Sequence, residues 1–416
     1  MILIYVPEIN ERINYTFSFV FEHILGISIQ LTDSVPFFSE QKTPKISYSD
    51  QAVENEPHFP SCNLLFENDI KEQEVTHLLQ DPFAICFYLL SRYEEYLSFK
   101  KDSHHRFSYD SFSLKGKIDI TIPWIDYFAF DVFHKLKKHY PILEKKERKF
   151  RFINTLDVDH AWLYKNKPCL KNTKSLLKKL IKFEWREILY QISILLNRQP
   201  DPYFIYPYIE HLQLPTIYFI SYGKGKNKWD TNHKPDNPNY QLLVKELDKN
   251  PLNTIGLHPS YNSNTQLSIL EEEKSGLEKL LDKKITRSRQ HFIKIKLPET
   301  YTNLINLDIK EDFSMGFQDH IGFRAGTCTP FYWFDLTQNK VTHLKIYPFC
   351  VMDVTLKNYM KLSVEEAKDK ITELVRSVKK VQGTFISIFH NDSISDYGEW
   401  KGWKQVYEKL IDELND

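Results

Sequence analysis

Glycine is scarce in this chain, 12 in 416 residues. So few leave little material for a Gly-rich phosphate cradle, and neither a P-loop nor a Rossmann glycine fingerprint occurs, which disfavours nucleotide binding. Cysteine is scarce as well. Cys62, Cys86, Cys169, Cys328 and Cys350 are odd in number and widely spaced, with no C-x-x-C among them. That excludes a disulfide framework or a zinc knuckle and suits reduced thiols. Net charge is lacking, since 55 Lys plus Arg balance 55 Asp plus Glu, so there is no chain-wide footprint for nucleic acid. No run reaches the roughly 18 apolar residues of a membrane span. The opening stretch "MILIYVPEINERINYTF" lacks the basic-then-apolar order of a secretory signal. The expected compartment is the cytoplasm.

What is present is ample core material, 42% hydrophobic and 14% aromatic. The length suggests two to three domains, and the charged stretch "LEKKERKF" at 143–150 marks a boundary between residues 1–145 and 151–416. The first part reads as a small α/β unit. "ILIYV" is a short strand, "ERINYTFSFVFEHIL" has helical apolar spacing, and "DPFAICFYLLSRYEEYL" at 81–97 is the strongest helix, with Pro82 suited to its first turn. Arg92, Glu94 and Glu95 are expected on its solvated face.

The second part alternates strands and helices. Strands are expected at "RFINTL", "PTIYFI" (215–220), "NTIGLH" (253–258), "HFIKI" (291–295), near "IGFR", and at "TFISIFH" (384–390). Helices are expected at 174–197, 239–249, 265–284, 298–306, 363–380 and 399–414. Such alternation predicts a parallel sheet, open or closed into a barrel. In that architecture the chemistry sits at the C-terminal strand ends.

Those ends are unusually polar. "FINTLDVDH" ends in Asp157, Asp159 and His160; "NTIGLHPSYNSN" in His258, followed by Ser260 and Asn262. "SRQHF" carries Arg289 and His291, "DHIGFR" carries His320 and Arg324, and "TFISIFHND" ends in His390 and Asn391. Unrelated structural needs would scatter such residues rather than gather them on one edge. Carboxylates and imidazoles together suit a divalent metal such as zinc that keeps one position for water. A carboxylate not used as a ligand can accept a proton, and a histidine across the site can deliver one. Ser–His–Asp catalysis is disfavoured because no G-x-S-x-G elbow occurs.

"TLDVDH", "GLHPSY", "GFRAGTC" and "FHN", in this order, resemble the polysaccharide deacetylases of carbohydrate esterase family 4, the NodB type. "SRQHF", "DFSMGF", "PFCVMDVTL" and, in the first part, "FYLLSRYEEYL" with "DSHHRF" resemble a branch with an additional N-terminal domain, common in bacterial surface-polysaccharide loci. The resemblance implies an α/β fold, a distorted parallel (β/α) barrel with a smaller N-terminal α/β domain. It implies Asp157 as base, Asp159 and His258 as metal ligands, Arg324 as the arginine beside the base, and His390 as general acid. The sequence departs from the pattern twice. Val158 separates the aspartates, and Asn262 stands where a second histidine ligand is usual. Since a catalytic zinc takes three protein ligands plus water, His291 is the expected replacement, with Asn262 as the alternative.

The function so implied is metal-dependent removal of an acyl group, N-acetyl first, from an amino sugar or surface-polysaccharide precursor that is nucleotide- or lipid-linked. The alternatives are a deformylase or other amide or imide hydrolase on the same fold, and a degenerate glycan-binding protein without catalysis. The segment "TKSLLKKLIKFEWREILYQISILLNRQ" at 173–199 reads as a helix packed on the barrel or as an interfacial helix making peripheral membrane contact.

Overall fold

The computed structural model describes residues 1–224 and 227–415. Strands β1 (Ile2–Tyr5), β2 (Ile29–Thr32), β3 (Lys45–Ser49) and β4 (His58–Pro60) pair in parallel in the order β2-β1-β3-β4. Along the chain follow β5 (Arg151–Val158), β6 (Thr216–Ile220), β7 (Asn253–Leu257), β8 (Arg287–Ser288), β9 (Glu311–Asp312), β10 (Phe331–Asp335), β11 (Lys340–Ile346), β12 (Val351–Met352) and β13 (Thr384–His390). Two compact units result. One comprises Met1–Phe152, Ile293–Val351 and Glu373–Ile386; the other comprises Ile153–Phe292, Met352–Thr372 and Ser387–Asp416. The division expected at 145–151 lies close to the end of the first unit's opening segment; nothing in the sequence indicated that two later segments join that unit.

The first unit holds the four-stranded sheet and the run β10-β11-β9. Its aromatic core includes Phe17 stacked on Phe83 at 4.4 Å. The helix Pro82–Leu90 begins where the Asp81 carboxylate accepts the Ala84 N–H at 3.0 Å. It stops nine residues later, because Arg92 turns left-handed at φ 54°. The expected solvated face is therefore not formed. Arg92, Glu94 and Glu95 are buried and bond one another, Arg92 Nε to Glu95 Oε1 at 2.7 Å and Arg92 Nη2 to Glu94 Oε1 at 3.2 Å. Mutual neutralisation is what lets these charges leave water.

The second unit carries the run β8-β7-β6-β5-β13-β12, with β5 through β8 parallel. β6, β7 and β13 fall on the apolar runs that predicted them. "HFIKI" is not a strand. The strand is the two residues before it, and His291–Ile293 forms a tight turn in which Phe292 adopts φ 60°. The expected helix 174–197 is two helices, Cys169–Ile181 and Trp185–Leu195, broken at left-handed Phe183 (φ 58°). No helix among the described residues is long and apolar enough to cross a membrane.

Candidate metal centre

Register fixes the site. Val158 lies opposite Ile220, Ile220 opposite Leu257, and Leu257 opposite Ser288. The next residue on β5, β7 and β8 is Asp159, His258 and Arg289, so these leave the sheet together at the edge where parallel α/β sheets bind ligands. β13 brings His390 to its own C-terminal end.

Asp159, His258 and His291 offer ligand atoms all within 4.8 Å of one another. His258 Nε2 lies 3.3 Å from Asp159 Oδ1, and His291 Nε2 lies 3.5 Å from Asp159 Oδ2. Ligands about 2.0–2.1 Å from a tetrahedral ion stand roughly 3.3–3.4 Å apart, which is this spacing. Both rings are oriented from behind. His258 Nδ1 donates to the Arg289 carbonyl at 2.7 Å, and His291 Nδ1 to Asp230 Oδ1 at 3.0 Å. Such backing fixes the tautomer and turns each Nε2 lone pair inward. Asp159 Oδ1 and His258 Nε2 are buried with no hydrogen-bond partner. Two acceptors facing each other call for a cation between them, so the residues present fit a divalent ion.

The electrostatics agree. Burial works against charge on Asp159, yet His291 and His258 hold its carboxyl well below the usual range. Burial likewise opposes charge on His291, but Asp159 and Asp230 raise it to about 9. The carboxylates demand positive charge here, from a proton or from a metal.

Two pairs flank this group. Asp157 is buried and accepts from Arg289 Nη1 at 2.8 Å, while Arg289 Nη2 donates to Thr155 Oγ1 at 2.8 Å. Asp157 Oδ2 lies 3.8 Å from His258 Nε2. On the other side His390 Nδ1 donates to Asp353 Oδ1 at 2.8 Å, and the His390 N–H donates to Asp353 Oδ2 at 2.7 Å. His390 Nε2 is 3.9 Å from Asp159 Oδ2. Although burial disfavours its charge, Asp353 raises the His390 imidazole well above its ordinary value.

Arg324 is not the arginine on Asp157. Its guanidinium is buried in the first unit and bonds Glu95 at 2.9 and 2.6 Å and the Gly316 carbonyl at 3.1 Å; Arg289 takes the expected place. Asn262 is outside the three-residue group and lines a cavity of about 430 Å³ with Asp230, Ser260 and Glu273. His160, next to Asp159, bonds Thr231 Oγ1 at 2.9 Å, and burial lowers it to about 4. His320 packs on Tyr109 in the first unit, ring centroids 4.0 Å apart and planes tilted by 35°. Sequence reading assigned no role to Asp230 or Asp353. Asp353 stood inside the quoted motif "PFCVMDVTL", but Asp230, in a loop between β6 and the helix Pro238–Lys249, carries no local signal.

Residues 2–141 match a family of unknown function, DUF7033. No curated protein matches the chain. Among solved structures, a candidate polysaccharide deacetylase of Mycobacterium smegmatis aligns at 11% identity and TM-score 0.39, covering 65% of this chain and 85% of that one. A 4-α-glucanotransferase of Thermococcus litoralis aligns at 14% identity and TM-score 0.37, covering 65% and 38%. A pseudoenzyme of carbohydrate esterase family 4 from Bacillus anthracis aligns at 11% identity and TM-score 0.29, covering 64% and 62%. Likeness this faint carries no weight for the chemistry, which rests on the residues described above.

Proposed function

We propose that this protein is a metal-dependent hydrolase that removes an acyl group, N-acetyl first, from an amino sugar of a polysaccharide precursor. The carrying observation is the convergence of Asp159, His258 and His291, with inward-facing Nε2 atoms and two unpartnered acceptors, between one buried carboxylate–arginine pair and one histidine–aspartate pair.

Asp159, His258 and His291 would hold the ion, and zinc is the metal we assign. When bound, it supplies a Lewis acid and an acidified water. Asp157 accepts the water's proton at Oδ2, since Oδ1 is engaged by Arg289, whose guanidinium orients the carboxylate. His390 delivers a proton from Nε2 to the departing nitrogen, and Asp353 holds its ring through Nδ1. A glycan-binding protein needs no such opposed base and acid. The deformylase and amide-hydrolase alternatives share all of this chemistry, because the site selects a carbonyl.

The substrate class we assign is an acylated amino sugar, nucleotide- or lipid-linked. The distorted (β/α) barrel and the division into an N-terminal domain at 1–145 and a hydrolase domain at 151–416 belong to this proposal. The shared C-terminal edge of β5, β7, β8 and β13 supports the barrel, and the separate family match of residues 2–141 supports the N-terminal domain. A cytoplasmic setting is part of it too, supported by five free cysteines. The test is release of acetate from N-acetylated amino sugars by the zinc-loaded protein, against formylated and free-amide controls. Turnover of acetylated sugars, lost on chelation and restored by zinc, is expected. Inactivity on every acyl class with the metal bound would overturn the reading.

A further inference from the structure

The helix pair Cys169–Ile181 and Trp185–Leu195 is securely rooted. Asp201 is buried and accepts three successive backbone N–H groups, from Leu163, Tyr164 and Lys165 at 2.8, 2.8 and 2.9 Å. Between the helices, Gln191 is buried, accepts from Ser175 Oγ at 3.0 Å and donates to the Asn172 carbonyl at 3.3 Å. One face is thus used. The opposite face and the tip are apolar and open. Ile181 is 77% exposed, Phe183 76%, Leu189 68% and Trp185 57%. Phe183 makes the turn itself in a left-handed conformation where glycine would be the ordinary choice, and its ring stands in solvent.

Charge distinguishes what would cover this face. Residues 169–198 contain five lysines and two arginines against two glutamates, a net charge of +5 in a chain whose total is zero. Lys171, Lys174, Lys178 and Lys182 form no ion pair or side-chain hydrogen bond among the described residues. Basic character continues at the root, where Lys167, Lys171 and Lys234 line a cavity of about 530 Å³ with His233, a buried residue whose ring nitrogens complete no hydrogen bond. A second copy of the chain would bring two such basic faces together across a symmetric contact, which like charges oppose. Apolar and aromatic side chains flanked by free lysines match the headgroup layer of an anionic bilayer.

We propose that the 169–196 helix pair docks this protein on an anionic lipid surface, with Ile181, Phe183 and Trp185 entering the interface and the lysines meeting phosphate headgroups. Docking itself is independent of the hydrolase reading. The consequence that the amino sugar is lipid-linked rather than nucleotide-linked rests on that reading.

The experiment is co-sedimentation of the full chain with phosphatidylcholine vesicles, with and without phosphatidylglycerol, at low and high salt. The parent protein is expected to sediment with the anionic vesicles at low salt and to release at high salt. Phe183→Glu with Trp185→Glu should lower the bound fraction by about tenfold or more. Lys174→Glu with Lys178→Glu and Lys182→Glu should do the same. Unchanged circular dichroism and metal content in both variants establish that the fold is intact. Three results would each overturn the proposal: no vesicle binding by the parent, equal binding to neutral vesicles, or a dimer by light scattering that Phe183→Glu dissociates. None of these outcomes depends on turnover, so failure of docking and failure of the hydrolase reading remain separable.

Discussion

Asp159 Oδ1 faces His258 Nε2 across 3.3 Å, and neither atom has a hydrogen-bond partner. The proton of His258 is committed on the far side of its ring, to the Arg289 carbonyl. Arg289 therefore acts twice. Its carbonyl orients His258, which we assign as a metal ligand, and its guanidinium holds the carboxylate we assign as base.

Removal of the base should separate binding from turnover. Asp157→Asn is expected to keep the metal and lower kcat by about 10²–10⁴-fold, the scale of general acid–base catalysis. Elemental analysis beside steady-state kinetics checks both halves. Near-normal turnover would remove Asp157 from the mechanism.

The two arginines should behave differently. Arg289→Gln leaves Asp157 as an uncompensated buried charge and should cost about 3–5 kcal/mol of stability, with turnover impaired as well. Arg324→Gln leaves Glu95 with Arg92 alone and should lower Tm while the metal content of the folded protein stays at the parent level. Thermal melts with elemental analysis distinguish them. Metal loss from folded Arg324→Gln would contradict this division of labour.

Protons and metal should compete at His291. Although burial opposes it, Asp159 and Asp230 raise this imidazole to about 9 without metal. Its contribution to the stability of the metal-free protein is therefore full below about pH 6.5, the unperturbed histidine value, and is lost as pH rises through about 9. Metal must displace that proton, so affinity should rise about tenfold per pH unit toward pH 9 and then level. Calorimetry in buffers of different ionisation enthalpy should count about one proton released per ion at neutral pH. Release of none would contradict it.

We assign Asp353, which bonds His390, as a positioning residue, and its effect should show in a pH profile. Its charge helps raise His390, so Asp353→Asn should lower that imidazole's pKa. The alkaline limb of kcat, where the acid loses its proton, should then move to lower pH. A profile that only scales down, without moving, would mean that Asp353 merely supports the fold.

β6, β7 and β13 were legible because buried parallel strands read as short apolar runs, and the register of β5 through β7 brings Asp159 and His258 to one edge. His291 was named from the need for a third ligand, yet it reaches the group from a turn rather than a strand, since Phe292 in a left-handed conformation carries the chain out of the sheet. The resemblance in "GFRAGTC" points to Arg324 as the arginine beside the base, whereas Arg289 bonds Asp157. Which carboxylate each meets is a long-range fact: Arg324 and Glu95 are 229 positions apart. Arg92, Glu94 and Glu95 read as surface because charge suggests solvent; only their mutual pairing permits burial. Asp230 carried no signal at all, being one acid in a polar loop.

The most direct test is the position of the ion. A crystal of the zinc-soaked protein, with an anomalous map at the zinc edge, should show a single peak bonded to Asp159, to Nε2 of His258 and to Nε2 of His291, at about 2.0–2.2 Å. A peak ligated through Asn262 with His291 withdrawn would contradict this account, as would the absence of any peak among the three residues.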